Sequence, residues 1–252
     1  MTAVLRDTWV IARRDLTHWR QQPWGVVINT LFPVMIALMF GGLFGGAIGE
    51  GYFDYLMPGM FALTMFFGVE ATMTAVSSDA QKGVTDRFRS LPMSSGGVVA
   101  GRCLADMMGS VLGLVVMAIA GMLLGWGWHN GMLQALAAFA LLLWLRFALL
   151  WVGIFLGLTV KGPESVSMVQ ILVWPIGFLS GIFVDPATMP SWLGVIAQWN
   201  PLSATAAAAR DLFGNPGAIT GSREIILAIA WPLLLTAVFL PLSVRKYRSL
   251  GG

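Results

Sequence analysis

The sequence predicts an all-α polytopic membrane protein with six transmembrane helices, and three observations carry that prediction. Hydrophobic residues fill 57% of the 252 positions and charged residues 11%, against about a quarter charged in a soluble domain. Six apolar runs reach or approach the roughly 20 residues a helix needs to cross hydrocarbon: Trp24 to Phe44, Leu56 to Val76, Ala105 to Leu124, Leu133 to Thr159, Ser165 to Phe183 and Ile225 to Val244. Basic residues occupy alternate loops. Arg6, Arg13, Arg14 and Arg20 precede the first run. Lys82, Arg87, Arg89 and Arg102 follow the second, Lys161 the fourth, and Arg245, Lys246 and Arg248 the sixth. Twelve of the fifteen basic residues thus fall on one side, which places both termini in the cytoplasm. The net charge of +3 reflects that bias and gives no reason to expect nucleic acid as a partner.

Residues 1–23 form the first unit. Leu5, Trp9, Ala12, Leu16 and Trp19 recur on one helical stripe, with Arg6, Arg13 and Arg20 off it, the pattern of a helix lying in the membrane interface. A plain basic flank explains the arginines but not the stripe. The segment has no apolar core followed by a small-residue cleavage site, so it is not expected to be a removable signal peptide. Residues 24–252 form the six-span domain. In its first span Gly41, Gly42, Gly45 and Gly46 either permit close helix approach or loosen the span's outer end.

After the second span comes the most polar stretch of the chain, GVTDRFRSLPMS. Ser78 and Gln81 have capping-box spacing for a short helix that Pro92 closes. On it Val84, Phe88 and Leu91 share one face, while Asp86, Arg87 and Arg89 point elsewhere. Such a segment either docks on a cytoplasmic partner or lies flat on anionic headgroups.

Glu70 and Arg146 are the ionisable residues deepest in the spans, where a charge requires a partner or water. Their depths agree, so they either pair or find other contacts. Asp106 and Glu164 lie near cytoplasmic span ends, where interfacial hydration is expected.

The stretch from Asp185 to Gly217 is too apolar for a free loop and too broken by Pro186, Pro190 and Pro201 to span. Trp192, Leu193, Val195, Ile196 and Trp199 make an apolar cluster, and Ala204 to Ala209 offer a small-residue surface. Two short re-entrant helices are expected, about Ser191 to Gln198 and about Leu202 to Leu212, broken at Asn200 and Pro201 and capping the outer mouth. Arg210 is expected at the outer water interface. Backbone entering the membrane this way must be satisfied by protein or water.

Some chemistry is excluded. No GxxxxGK[ST] phosphate loop occurs, so the chain does not cradle ATP in that manner. Cys103 is the only cysteine, which rules out an intrachain disulfide and a thiolate zinc site. Ser180 lacks a base, since His18 lies before the first span and His129 in an outer loop.

The chain resembles the permease subunits of the ABC-2 type export family, in particular its daunorubicin-resistance-like branch, along essentially its whole length. The features that carry the resemblance are the amphipathic first helix, QKGVTDRFRSLPMSSGGVVAGR, and FVDPATMPSWLGVIAQWNPLSATAAAARDLF. The resemblance implies that Lys82 to Pro92 is a coupling helix seated in a cleft of an ATPase subunit. It also implies that the segment holding Pro190, Trp192, Trp199, Asn200, Pro201 and Arg210 is an extracytoplasmic re-entrant element.

The resulting expectation is a permease, not an enzyme, in a bacterial plasma membrane. It would export an amphipathic drug-like, lipid or lipid-linked molecule, with ATP and Mg²⁺ bound by a separate cytoplasmic ATPase. Its other partners would be membrane lipids and a second permease chain, identical or related. A secondary transporter and a non-transporting membrane scaffold are the competing readings.

Overall fold

A computed structural model of the chain describes residues 6, 8, 9, 13, 17, 23–49, 51–82, 95–160, 162–217 and 222–249. Among these residues there are eight long or medium helices, one 3-10 turn and no strand. The helices are α1 (Pro23–Ile48), α2 (Tyr52–Gln81), α3 (Ser95–Leu123), α4 (Met132–Thr159), α5 (Pro163–Phe178), α6 (Ser191–Trp199), α7 (Pro201–Phe213) and α8 (Ser222–Ser249). The 3-10 turn, Pro186–Thr188, precedes α6. Residues 6, 8, 9, 13 and 17 are helical as well.

Among the described residues four helices are long and apolar enough to cross a membrane, over Tyr52–Gln81, Ala100–Leu123, Met132–Thr159 and Arg223–Tyr247. Helix α1 has 26 residues. Helix α5 has 16, which at 1.5 Å per residue is about 24 Å, short of a hydrocarbon core of about 30 Å. The fifth apolar run therefore does not stay helical to Phe183. Pro175 lies in the final turn of α5, and the Leu179 N–H closes the helix on the Pro175 carbonyl at 2.7 Å. Leu179 to Phe183 then turn through non-helical backbone.

Helix α4 sits between α2 and α8, and α7 wedges against all three. Two glycines bring α2 and α4 together. A Cβ at Gly153 would lie 2.9 Å from the Val69 carbonyl oxygen, and one at Gly157 would lie 2.7 Å from that of Met73. This small-xxx-small pair on GIFLG is the one the fold uses most closely, although the sequence drew attention to the first span instead. There Gly41 does pack, against the Phe53 ring, whereas Gly42, Gly45 and Gly46 have nothing within 4 Å.

The core is aromatic and methionine-rich. Phe61, Trp126, Phe139 and Phe213 form a mutual edge-to-face cluster with centroids 4.9 to 6.0 Å apart. Met57, Met60 and Leu63 are fully buried beside it. Cys103 is buried in a satellite cluster with Leu150, Trp151 and Ile154. By contrast α1, α3, α5 and α8 present many exposed large apolar side chains, as a hydrocarbon-facing surface would.

The sequence expected Ser78 and Gln81 to open a new helix. They instead belong to the last turns of α2: Gln81 Nε2 donates to Ser77 Oγ at 3.1 Å, and the Lys82 N–H donates to the Ser78 carbonyl. Helix continuation wins because no proline or glycine stands between Gly68 and Gly83 to interrupt the backbone hydrogen bonds. Val84, Asp86, Arg87, Phe88, Arg89, Leu91 and Pro92 lie outside the described residues.

Close packing at Gly157 yields a stability prediction. Gly157→Ala is expected to destabilise by about 1–3 kcal/mol, since backbone rather than a flexible side chain blocks the new methyl. Gly42→Ala, in open space, is expected to hold or raise stability by removing a helical glycine. Thermal melts of the two variants in the same detergent read the difference.

Candidate functional site

Two buried polar constellations stand out, one midway through the helix bundle and one at the end where α6 and α7 pack. The inner one centres on Arg146, midway along α4 and 2% exposed. Its Nε donates to Ser110 Oγ at 2.8 Å, and its Nη2 donates to Thr72 Oγ1 at 2.7 Å. The Thr72 hydroxyl in turn donates to Asp106 Oδ2 at 2.8 Å. That carboxylate oxygen also stands 3.8 Å from Arg146 Nη2. The arginine of α4 is thereby joined to α2 and α3, with Thr72 as the relay. Gly68 makes room for it, because a Cβ there would meet Arg146 Nε at 2.6 Å.

Arg146 thus finds its partners in Asp106, Thr72 and Ser110. Glu70 lies two residues beyond Gly68 on α2, and a helix turns about 100° per residue, so it faces nearly the opposite way. Its Oε1 is buried without a hydrogen-bond partner. Asp106, which the sequence assigned to interfacial hydration, is the counter-ion of a buried arginine. The chain placed an acid a helical turn from Ser110 on α3, and an arginine buried at that depth without a counter-ion would be strongly destabilising. Glu164 is exposed at the first turn of α5.

At the outer end, α6 and α7 meet at Asn200 and Pro201. The Asn200 side chain serves two helices at once. Its Oδ1 accepts from the Leu202 N–H at 2.9 Å and caps α7, while its Nδ2 donates to the carbonyls of Ile176 at 2.8 Å and Leu179 at 2.9 Å, at the end of α5. Pro201 suits the first position of α7, where no N–H is needed. Gly214, left-handed at φ 73°, ends that helix.

Arg210 is not at the water interface. It is 3% exposed. Its Nη2 donates to the carbonyls of Gly181 and Ile182, both at 3.0 Å, and its Nε donates to that of Tyr55 at 2.8 Å. The guanidinium lies 3.8 Å from the Tyr55 ring centroid, a cation–π contact. Tyr55 Oη donates to the Gly181 carbonyl and Tyr52 Oη to that of Phe183, while Ser203 Oγ accepts from the Gly181 N–H at 2.8 Å. Tyr52, Tyr55 and Ser203 went unnoticed in the sequence. Two tyrosines opening a span opposite a long proline-broken segment were the available signal.

Trp192 and Trp199 lie on the outer face of α6 and are 67% and 55% exposed, whereas Gly194 and Ala197 face inward. Pro190 is the N-cap of that helix. Ser180 Oγ donates to the Gly177 carbonyl at 2.6 Å, and His129 sits beside Asp54 at 4.0 Å in the outer loop. Among the described residues no cluster of His, Cys, Asp and Glu is able to hold a metal. The two constellations clamp helices, and neither presents a nucleophile with a base.

The chain matches the family described as ABC-2 type transporter over residues 6–213. It belongs to that family. It is 33% identical to the daunorubicin resistance ABC transporter permease protein DrrB1 of Streptomyces coeruleorubidus, over 99% of this chain and 87% of that one. It is 24% identical to putative transport permeases ycf38 of Porphyra purpurea and Pyropia yezoensis, in each case over 88% of this chain and 78% of the relative. This ABC-2 protein is therefore a multi-pass permease subunit of an ABC exporter, and ATP hydrolysis belongs to a separate subunit.

Two predictions follow from the clamps. Arg146→Gln and Asp106→Asn should each destabilise more than half as much as the double variant, because each leaves a polar partner stranded at depth; a double-mutant cycle on thermal melts measures the coupling. For Arg210→Ala, the Ile182 carbonyl is left without its donor at a cost of about 1–3 kcal/mol, while that of Gly181 keeps Tyr55 Oη. Ile182→Cys in a Cys103→Ser background, protected from an impermeant thiol reagent in the intact clamp, should then become labelled.

Proposed function

We propose that this chain forms half of a dimeric transmembrane pathway, with an identical or related permease as the other half, that exports an amphipathic drug-like, lipid or lipid-linked molecule across a bacterial plasma membrane. The observation that carries the reading is the family match over residues 6–213 together with 33% identity to a daunorubicin resistance permease along nearly the whole chain. In this reading α1 to α5 and α8 are the six spans, and the basic residues hold both termini in the cytoplasm. Residues 1–23 lie in the interface, and α6 and α7 re-enter the outer leaflet.

A cytoplasmic ATPase binds ATP and Mg²⁺ and grips the coupling segment from Lys82 to Pro92. The flanks of that segment support such a role. Arg102 of α3 pairs with Asp79 of α2 at 2.6 Å, so a push on the residues between them is delivered to both helices. Asp106, one turn further along α3, passes the displacement to Arg146 on α4. A secondary transporter would need no motor, and few intramembrane acids are present to serve a proton relay.

The test is copurification of a coexpressed cytoplasmic ABC ATPase with this chain and measurement of its hydrolysis in liposomes. Phe88→Asp and Arg87→Glu are expected to weaken copurification and abolish the stimulation of hydrolysis while leaving the melting temperature of the permease unchanged. Normal complex formation and normal export in both variants would remove the docking role.

A further inference from the structure

Helix α5 stops at Phe178 although nothing in the chain just beyond it forces a stop. Leu179, Ser180, Gly181, Ile182, Phe183 and Val184 follow, uncharged and free of proline, and the next helix breaker is Pro186. None of the six has a positive φ, so no left-handed residue fixes the departure from helix. Pro175 removes a bond to Ile171 on its N-terminal side and leaves the backbone after it able to continue. Six more residues would lengthen α5 from about 24 Å to about 33 Å, enough for a hydrocarbon core of about 30 Å. Asp185, which precedes a proline, is the natural place for such a helix to end.

The carbonyls around the break take their donors from outside α5. Asn200 Nδ2 serves Ile176 and Leu179, Arg210 Nη2 serves Gly181 and Ile182, Tyr55 Oη serves Gly181, and Tyr52 Oη serves Phe183. A continued helix would hand the carbonyls of Ile176, Leu179 and Gly181 to the N–H groups of Ser180, Phe183 and Asp185. Those of Ile182 and Phe183 would fall in its last turn, where water can reach them. The same backbone therefore has two sets of partners, one on α2 and α7 and one within α5.

Gly181 sets the balance between them. A Cβ there would lie 2.9 Å from Pro186 Cγ, so the turn needs a residue without a side chain, and glycine also weakens the competing helix. Burial of Ile182 and Phe183 favours the turn as well. Bilayer thickness favours the helix, because a span shorter than the hydrocarbon must thin the membrane around it.

We propose that the outer end of α5 is a two-state element, with the observed short form clamped by α2 and α7 and a long form that runs on to Val184. In the long form Arg210, Asn200 and Ser203 lose their partners on α5, so α7 loses its hold there. The bilayer thus acts on the packing of the outer cap through the length of one helix. The inference goes beyond the permease reading and does not depend on it.

The test uses the purified permease in nanodiscs of dimyristoleoyl- or dierucoyl-phosphatidylcholine, a thin and a thick bilayer. Hydrogen exchange is read by mass spectrometry on the peptide that holds Leu179 to Val184, with the α6 peptide as a reference for depth. The thick bilayer is expected to slow exchange in the α5 peptide about tenfold, as relief of mismatch over several Å implies, and to change α6 little. In the thin bilayer Gly181→Ala should slow it about fivefold, by crowding the turn and raising helix propensity. Arg210→Gln should slow it too, since the carbonyls it abandons pass to the backbone of a longer helix.

A clamp with no second state gives the opposite sign, because a methyl against Pro186 or the loss of Arg210 then only loosens the turn. Faster or unchanged exchange in either variant, if folded by its thermal melt, would overturn the proposal. So would equal slowing of the α5 and α6 peptides in the thick bilayer, which is depth alone. The comparison of bilayers on the unsubstituted chain decides the matter if both variants fail to fold.

Discussion

A polypeptide in hydrocarbon cannot leave backbone carbonyls unpaired, and the outer half of this protein is organised around that requirement. After α5 ends at Phe178, Leu179 to Phe183 run without helical hydrogen bonds, so their polar groups must be met by side chains. Arg210, Asn200, Ser203, Tyr52 and Tyr55 supply them. One arginine suits the task because its fork offers several donors in fixed geometry and stays charged. The same set of bonds fixes α7 against α2 and α5, and so sets the position of the outer cap. The early end of α5 and the packing of α7 against it are thus one solution to one problem.

Helix α2 connects the two constellations. Its outer end carries Tyr52 and Tyr55, which hold the cap. Its middle carries Gly68 and Thr72, which receive Arg146, while Glu70 lies on a nearly opposite face. A buried ion pair is weak evidence of net stability but strong evidence of register, since any slip strands a charge. The Asp106, Thr72 and Arg146 relay therefore fixes α2, α3 and α4 relative to one another. That rigidity comes from polar contacts between stiff helices rather than from apolar faces that slide.

Apolar surface is distributed unevenly over the same bundle. Helices α2, α4 and α7 are largely buried, while α1, α3, α5 and α8 expose broad faces. Exposed leucine and isoleucine cost nothing against lipid tails, because the hydrophobic effect does not discriminate between protein and hydrocarbon. Glycines, aromatic edges and hydrogen bonds do the sorting, as at Gly153 and Gly157.

The sequence by itself determined that the chain is helical and membrane-embedded, where most helices run, and that the segment after α5 breaks into two helices at Asn200 and Pro201. These follow from local facts: composition, run length, proline's missing donor and the capping habit of asparagine. The permease class was also legible, because the polar stretch after the second span and the proline-broken stretch before the last are long and specific. Only the tertiary structure decided which charges meet. The match in depth between Glu70 and Arg146 was real, but depth is one coordinate, and the angular position around α2 turned Glu70 away from the arginine while Asp106 reached it from α3. Arg210 misled in the same way, since its position beside an outer loop suggested water. What buried it was the unpaired backbone of Gly181 and Ile182, distant in sequence, whose need for a donor exists only once α5 has stopped short.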